Sequence, residues 1–214
     1  MSVLDWDHNA YYHGTLLRRV PPHCARVLEV GCGTGALAAR LARRADRVDA
    51  LDRSPEMIAA ARGAVPGNVT CTLADVLEHP LPEAGYDAVV SLMALHHMPP
   101  ERALPRFART LRPGGVLAVI ALPRTDLPRE WPLELAAPVG HRAFGAIFAS
   151  MRAVGRGTWF DRGSIPADMP MVLDPPLTTH EVARQAREFL PGARVRRLVF
   201  WRYLLLWRKP GPSS

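Results

Sequence analysis

Residues 27–35 read V-L-E-V-G-C-G-T-G, an apolar run with one acid followed by glycines at 31, 33 and 35, and an apolar-periodic stretch begins directly after them at Ala36. The pattern predicts a buried strand that passes through a nearly bare loop into a helix. Glycine lets the backbone approach a ligand closely, and α/β proteins use such a strand–loop–helix unit to hold nucleotide-like molecules.

Working outward, apolar runs and helical periods alternate from residue 26 to residue 122. The strands are expected at 26–30, 48–51, 69–73, 86–92 and 115–121, with helices at 35–44, 55–63 and 100–111 between them. Two of these helices open on a proline, whose missing N–H costs nothing in the first turn, and Ser54 is placed to cap the one at 55–63. Two further strand-like runs, 194–199 and 202–207, follow a helix at 179–190. They lack a crossover between them and must pair antiparallel. The expected fold is therefore α/β, a doubly wound, Rossmann-like sheet of seven mostly parallel strands, with ligands at the strands' carboxyl ends.

The 214 residues suit one domain, 48% of them hydrophobic and sufficient for a core. Its parts are expected to be an N-terminal helical cap (1–25), a cofactor-binding core (26–122), an insertion (123–176) and a closing helix with the antiparallel strand pair (177–209). The insertion is rich in proline and glycine. It should hold a helix at about 142–153 and an irregular stretch at 155–176, a length that in compact domains usually belongs to a lid. Cys24, Cys32 and Cys71 match no metal-ligand spacing and read as free thiols. No apolar run approaches the roughly 20 residues that span a bilayer, and the first seven residues do not have a signal-peptide pattern. A cytoplasmic location without membrane partners is expected.

The formal charge of +7 rests almost wholly on arginine, with Lys209 the single lysine. Clustered cations would suggest a polyanionic partner. The arginines are instead spread over several helices, and Arg40, Arg43, Arg44 and Arg47 suit the negative end of one of them.

Three acids fall at successive strand ends. Glu29 interrupts the first apolar run, Asp52 closes the second strand and Asp75 follows the third. An acid at the position of Asp52 can accept both hydroxyls of a ribose. Asp75 can accept from the exocyclic amine of adenine, with Val76 as apolar cover.

With these motifs the chain resembles the class I S-adenosylmethionine-dependent methyltransferases of small-molecule type. The resemblance rests on E-V-G-C-G-T-G (29–35), D-R-S-P-E-M (52–57), A-D-V (74–76), Y-D-A-V-V-S-L (86–92), L-H-H-M (95–98) and L-R-P-G-G (111–115). It implies S-adenosylmethionine as cofactor and a last strand running antiparallel between its neighbours. Gly31, Gly33 and Gly35 would face the methionyl part and Asp52 the ribose, with Glu29, Cys32 and Arg53 also among the cofactor-binding residues. Asp75, Val76 and Met57 would enclose the adenine, and Tyr12, Ser91 and Leu92 complete the surroundings.

The activated methyl group needs chiefly a nucleophile in line with it and water kept out, and a general base helps when that nucleophile is a hydroxyl. His96 and His97 follow the fourth strand and have the imidazole chemistry for this task. His13 and His141 are further candidates, and packing beside the cofactor is the competing role for the His96–His97 pair. The Asn/Asp-Pro-Pro-Tyr type motif of base-modifying relatives is replaced by S-L-M-A-L-H-H (91–97). That replacement argues against methylation of nucleic-acid amines. No acid pair follows the fourth strand, so no metal is expected.

Methyl transfer to an oxygen or nitrogen of a small molecule, of the secondary-metabolite kind, is the expected function. An RNA methyltransferase and a cofactor-binding protein with another activity stand as alternatives. A nicotinamide reductase would use the G-x-G-x-x-A reading through Ala36 but leaves Asp75 and L-R-P-G-G unexplained.

Overall fold

Seven strands form one sheet in the order β3-β2-β1-β4-β5-β7-β6. The computed structural model describes residues 6–154 and 175–211, without the side chains of 128, 129, 133–135 and 152. β1 (Cys24–Val30), β2 (Ala45–Asp52), β3 (Val69–Leu73), β4 (Tyr86–Leu92) and β5 (Leu111–Ala121) are all parallel to one another. Their apolar runs are long because helices cover both faces of a parallel sheet; six consecutive residues of β4 are buried. β7 (Arg202–Arg208) runs antiparallel to both β5 and β6 (Arg194–Leu198), as expected for the closing strand.

The helices differ more from expectation than the strands do. α2 (Ala36–Leu41) lasts six residues, because β2 already begins at Ala45. α3 (Pro55–Ala64) is capped as expected by Ser54, whose hydroxyl accepts from the Met57 N–H at 3.2 Å. α4 (Pro100–Thr110) and α6 (Thr179–Phe189) fall where the periodicity put them, α6 with a reciprocal Thr178–Glu181 capping box. The insertion departs most. Its helix, α5, spans Leu127–Ala153 and contains Pro132 and Pro138, where proline within the pattern would ordinarily end or kink a helix. The expected irregular stretch at 155–176 lies outside the described residues up to position 174.

In the cap, α1 (His8–Leu17) starts on Asp7, whose carboxylate accepts from the N–H groups of Asn9 and Ala10. Trp6 is buried and packs its ring against Phe148 of α5 and Phe200 of the β6–β7 turn, with centroids 5.1 and 5.0 Å away. His8 Nε2 lies 2.9 Å from His141 Nδ1, and Arg202 reaches Asn9 Oδ1 at 2.7 Å. The turn itself carries φ +59° at both Phe200 and Trp201, the left-handed region that glycine and asparagine normally fill in tight hairpins. At the opposite, amino end of the sheet, buried Asp49 accepts from Arg26, Arg47 and the Tyr86 hydroxyl.

Candidate functional site

The carboxyl ends of β1, β2, β3 and β4 open into a pocket of about 400 Å³, within the usual size range for a cofactor or drug-sized ligand. Its floor is the loop after β1. Glu29, Gly31, Cys32 and Gly33 border it, while Gly35 does not. Gly31 and Gly35 have backbone angles of +74° and +82°. A Cβ on Gly31 would overlap that of Ala94, and one on Gly35 would come within 2.7 Å of Val65 Cγ1. Both glycines are thus required by the protein's own packing, a role the spacing alone did not reveal.

Asp52 holds this loop in place. One carboxylate oxygen accepts from the Gly33 N–H at 2.8 Å and the other from the Ser54 N–H at 2.9 Å, which joins the ends of β1 and β2. Glu29 is 1% exposed, and its Oε2 has no hydrogen-bond partner among the described residues. Burial first, and the Asp52 charge second, hold its carboxyl well above the usual carboxylate range. Such a group is retained at a cost unless something supplies a donor or a cation. Cys32 is buried beside the same two acids, and burial pushes its thiol up, which disfavours the thiolate form a nucleophile needs.

The far wall comes from the turn after β3. Asp75 is exposed there, Val76 is buried, and Asp75 Oδ1 accepts from the Leu77 N–H at 2.8 Å. Met57 faces them from the first turn of α3, and Arg53 is the one arginine among the described residues that borders the pocket. The end of β4 contributes Leu92, and the residues just after it Met93 and Ala94. Ser91 is fully buried instead, donating to the Val30 carbonyl at 2.9 Å, so it ties β4 to β1 and does not border the pocket.

The four candidate histidines separate. His97 and His13 border the pocket; His96 and His141 do not. Leu95–His97 is a single 3₁₀ turn, in which successive side chains point about 120° apart. His96 accordingly faces a smaller cavity lined with Leu104, Pro176 and Tyr203. Burial lowers the imidazoles of His13 and His96 to about 4, helped by Arg40 and by His97, respectively. His97 is lowered by burial and by Arg53, against a smaller opposing effect of Asp52. His141 lies in the aromatic junction with Trp6 and His8.

The roof is the cap helix. Asn9, Ala10 and His13 lie on one face of α1 and border the pocket with Asp7. Tyr12 points the other way, its hydroxyl donating to the Val199 carbonyl at 2.5 Å, and burial raises it to about 12. The spacing 9, 10 and 13 was available in the sequence, but only the pocket shared with the loop after β1 distinguishes it from core. None of the described residues of α5 borders the pocket; that helix meets the cap at Trp6, His8 and Tyr11. No group of metal-ligating side chains and no membrane-length apolar helix occurs among the described residues.

Comparison with known proteins adds four findings. A family profile described as a methyltransferase domain matches residues 27–115. An uncharacterized methyltransferase of Mycobacterium bovis is 38% identical over 210 residues, covering 96% of this chain and 98% of the relative. A ubiquinone biosynthesis O-methyltransferase of Xylella fastidiosa is 40% identical over 113 residues, 50% of this chain and 46% of the relative. Among solved structures, an S-adenosylmethionine-dependent methyltransferase from Mesorhizobium loti superposes with a TM-score of 0.62 at 17% identity, covering 96% of this chain and all of that one.

Proposed function

The chain belongs to the methyltransferase family, and from that premise we propose that it transfers a methyl group from S-adenosylmethionine to an oxygen or nitrogen atom of a small molecule. The observation that carries this reading is the buried carboxyl of Glu29, whose Oε2 has no hydrogen-bond partner among the described residues, at the floor of a pocket that Asp52 and Asp75 also border. Three acids at the ends of three adjacent strands suit a ligand rich in ammonium, hydroxyl and amine donors. They do not suit a dinucleotide's phosphates.

When bound, S-adenosylmethionine supplies a methyl group already activated by a sulfonium centre. The residues around it then have positioning tasks. Glu29 offers an acceptor to a cationic or N–H group lying against Gly31, Cys32 and Gly33. Asp52 orients ribose hydroxyls through the lone pairs left after its two backbone bonds. Asp75 accepts from the adenine amine, between the apolar surfaces of Val76 and Met57. Leu92, Arg53 and the α1 face close the remaining sides and exclude water. His97 is neutral at physiological pH and can take the proton of a hydroxyl nucleophile. His13, also neutral, faces the same space from the roof.

The small-molecule reading draws support from the pocket rim, where Arg53 is the one described arginine, and from the O-methyltransferase relative. Isothermal titration with S-adenosylhomocysteine and with a nicotinamide dinucleotide tests it. Binding of the first and indifference to the second is expected. Asp52→Ala should weaken the first by roughly 1.5–3 kcal/mol, the range for hydrogen bonds to a charged group. Binding of the dinucleotide alone would end the proposal, and a folded Asp52→Ala protein of unchanged affinity would remove Asp52 from it.

A further inference from the structure

The pocket's far wall is held from behind by a side chain that borders no part of the pocket. Arg102 and Arg106 lie one turn apart on α4 and both face the turn 75–79 that follows β3. Arg106 donates through Nε to the Val76 carbonyl at 2.5 Å and through Nη2 to the His79 carbonyl. Arg102 pairs with Glu78 at 2.5 Å, both side chains exposed.

The two contacts are not equivalent. An exposed ion pair such as Arg102–Glu78 contributes little, because water screens it and two long side chains must be ordered. The half-buried Arg106 makes two charge-assisted bonds to backbone oxygens, and the planar guanidinium sets the distance and angle between the two carbonyls it bridges. The turn's own hydrogen bonds run to Asp75: its carbonyl accepts from the N–H groups of Glu78 and His79 at 3.1 and 2.8 Å, and its Oδ1 from Leu77. These bonds shape the turn internally. Val76 is buried in one apolar cluster with Leu104 and Phe107 of α4, which holds the turn against that helix without direction, and Arg106 adds the directional tie that fixes its carbonyls relative to α4. Asp75 uses one carboxylate oxygen within the turn, and the other makes no hydrogen bond to a described residue. The direction of that free oxygen is decided by how the turn sits.

We propose that Arg106 is a positioning residue for purine recognition: by bridging the Val76 and His79 carbonyls, it aims the free oxygen of Asp75 and thereby sets the site's preference for a 6-amino purine over a 6-oxo one. The inference rests on the reading of the pocket given above, in which the adenine lies at Asp75 and Val76. A carboxylate accepts from an exocyclic amine and repels a carbonyl oxygen. Discrimination between the two bases therefore depends on the carboxylate's placement within a few tenths of an ångström, whereas the remainder of the cofactor is held by β1 and β2 wherever this turn lies.

The test measures binding, not turnover. S-adenosylhomocysteine and S-inosylhomocysteine, in which oxygen replaces the 6-amino group, are titrated into the wild type and into Arg106→Met, Arg106→Lys and Arg102→Ala. The wild type should prefer the adenine compound. Arg106→Met should bind it about tenfold more weakly, the loss of one hydrogen bond of ordinary strength, while its affinity for the inosine compound changes little, so the preference falls by the same factor. Arg106→Lys can reach one carbonyl but cannot bridge two, and should retain only part of the preference. Arg102→Ala should keep all of it.

If Arg106→Met weakens both ligands equally and keeps the wild-type preference, Arg106 supports the fold alone and the proposal is overturned. Should Arg106→Met fail to fold, the lysine variant decides: a preference equal to that of the wild type overturns the proposal, and a reduced one supports it. A wild type that binds neither compound would instead refute the pocket assignment itself, an outcome recognisable without any variant.

Discussion

Burying the Glu29 carboxyl favours its neutral form in the folded protein, with a sign that can be measured. Its folded-state pKa lies above the unfolded value, so the native state holds a proton that the unfolded chain has already released. Stability linked to this group is complete below the ordinary carboxylate pKa and is lost as pH rises towards the folded value. Glu29→Gln imitates the neutral form. In urea denaturation of the ligand-free proteins, the two should match near pH 4, and the variant should gain about 1.4 kcal/mol per pH unit above the ordinary carboxylate pKa until the native carboxyl ionises. An equal difference at pH 5 and pH 8 would show that the carboxyl is already ionised in the fold. His97 is the other residue with a separable readout. Its lowered pKa puts the acidic limb of a base-catalysed rate below the ordinary imidazole value of about 6.5. His97→Ala should lower turnover about 10² to 10⁴ fold, abolish that limb and leave product-cofactor affinity nearly unchanged. An intact limb in the variant would assign the proton transfer elsewhere, His13 being the other neutral imidazole at the pocket.

At the scale of elements, the parallel strands were legible because each is an apolar run between polar punctuation, and Val27–Gly35 alone reveals the strand, the loop and the helix that follow one another there. The three acids at strand ends were legible for the same reason: a charge that interrupts or closes an apolar run stands out. What remained hidden depends on contacts distant in sequence. Adjacent histidines at 96 and 97 read as a pair, and one 3₁₀ turn sends them to different cavities. The early start of α5 was concealed by Pro132 and Pro138, which local rules read as breaks. The tie between Arg106 and the turn after β3 links two elements with no shared periodicity. Tertiary packing also couples the cap to the strand pair. Trp6 touches both α5 and the β6–β7 turn, so Trp6→Ala should raise hydrogen exchange in α1 and at the Leu198–Arg202 hairpin tip together, with a loss of about 3 kcal/mol or more, as for other buried aromatic truncations. Faster exchange in α1 alone would show that the hairpin stands without the cap.

For the whole molecule, the sheet divides its duties between its two ends. At the amino end, Asp49 gathers Arg26, Arg47 and Tyr86, and Asp87 pairs with Arg112; these acids are partnered within the protein. At the carboxyl end, Glu29 keeps one oxygen without a hydrogen bond to any described residue. The left-handed turn at Phe200 and Trp201 has a consequence in time. Neither residue favours that conformation by itself, and Phe200 packs against the rings of Trp6, His8, Tyr11 and Phe144. The partners that join cap and turn are far apart along the chain, Asn9 and Arg202 by 193 positions. The inner end of α1 packs on α2 and β5, with Leu16 and Leu17 buried in one cluster with Leu37 and Leu41, but a ribosome must deliver nearly all of this polypeptide before the aromatic start of that helix can meet the hairpin turn. Until then the cap's aromatic face stays open to other hydrophobic surfaces, and the nascent chain is most in need of a chaperone at its oldest end.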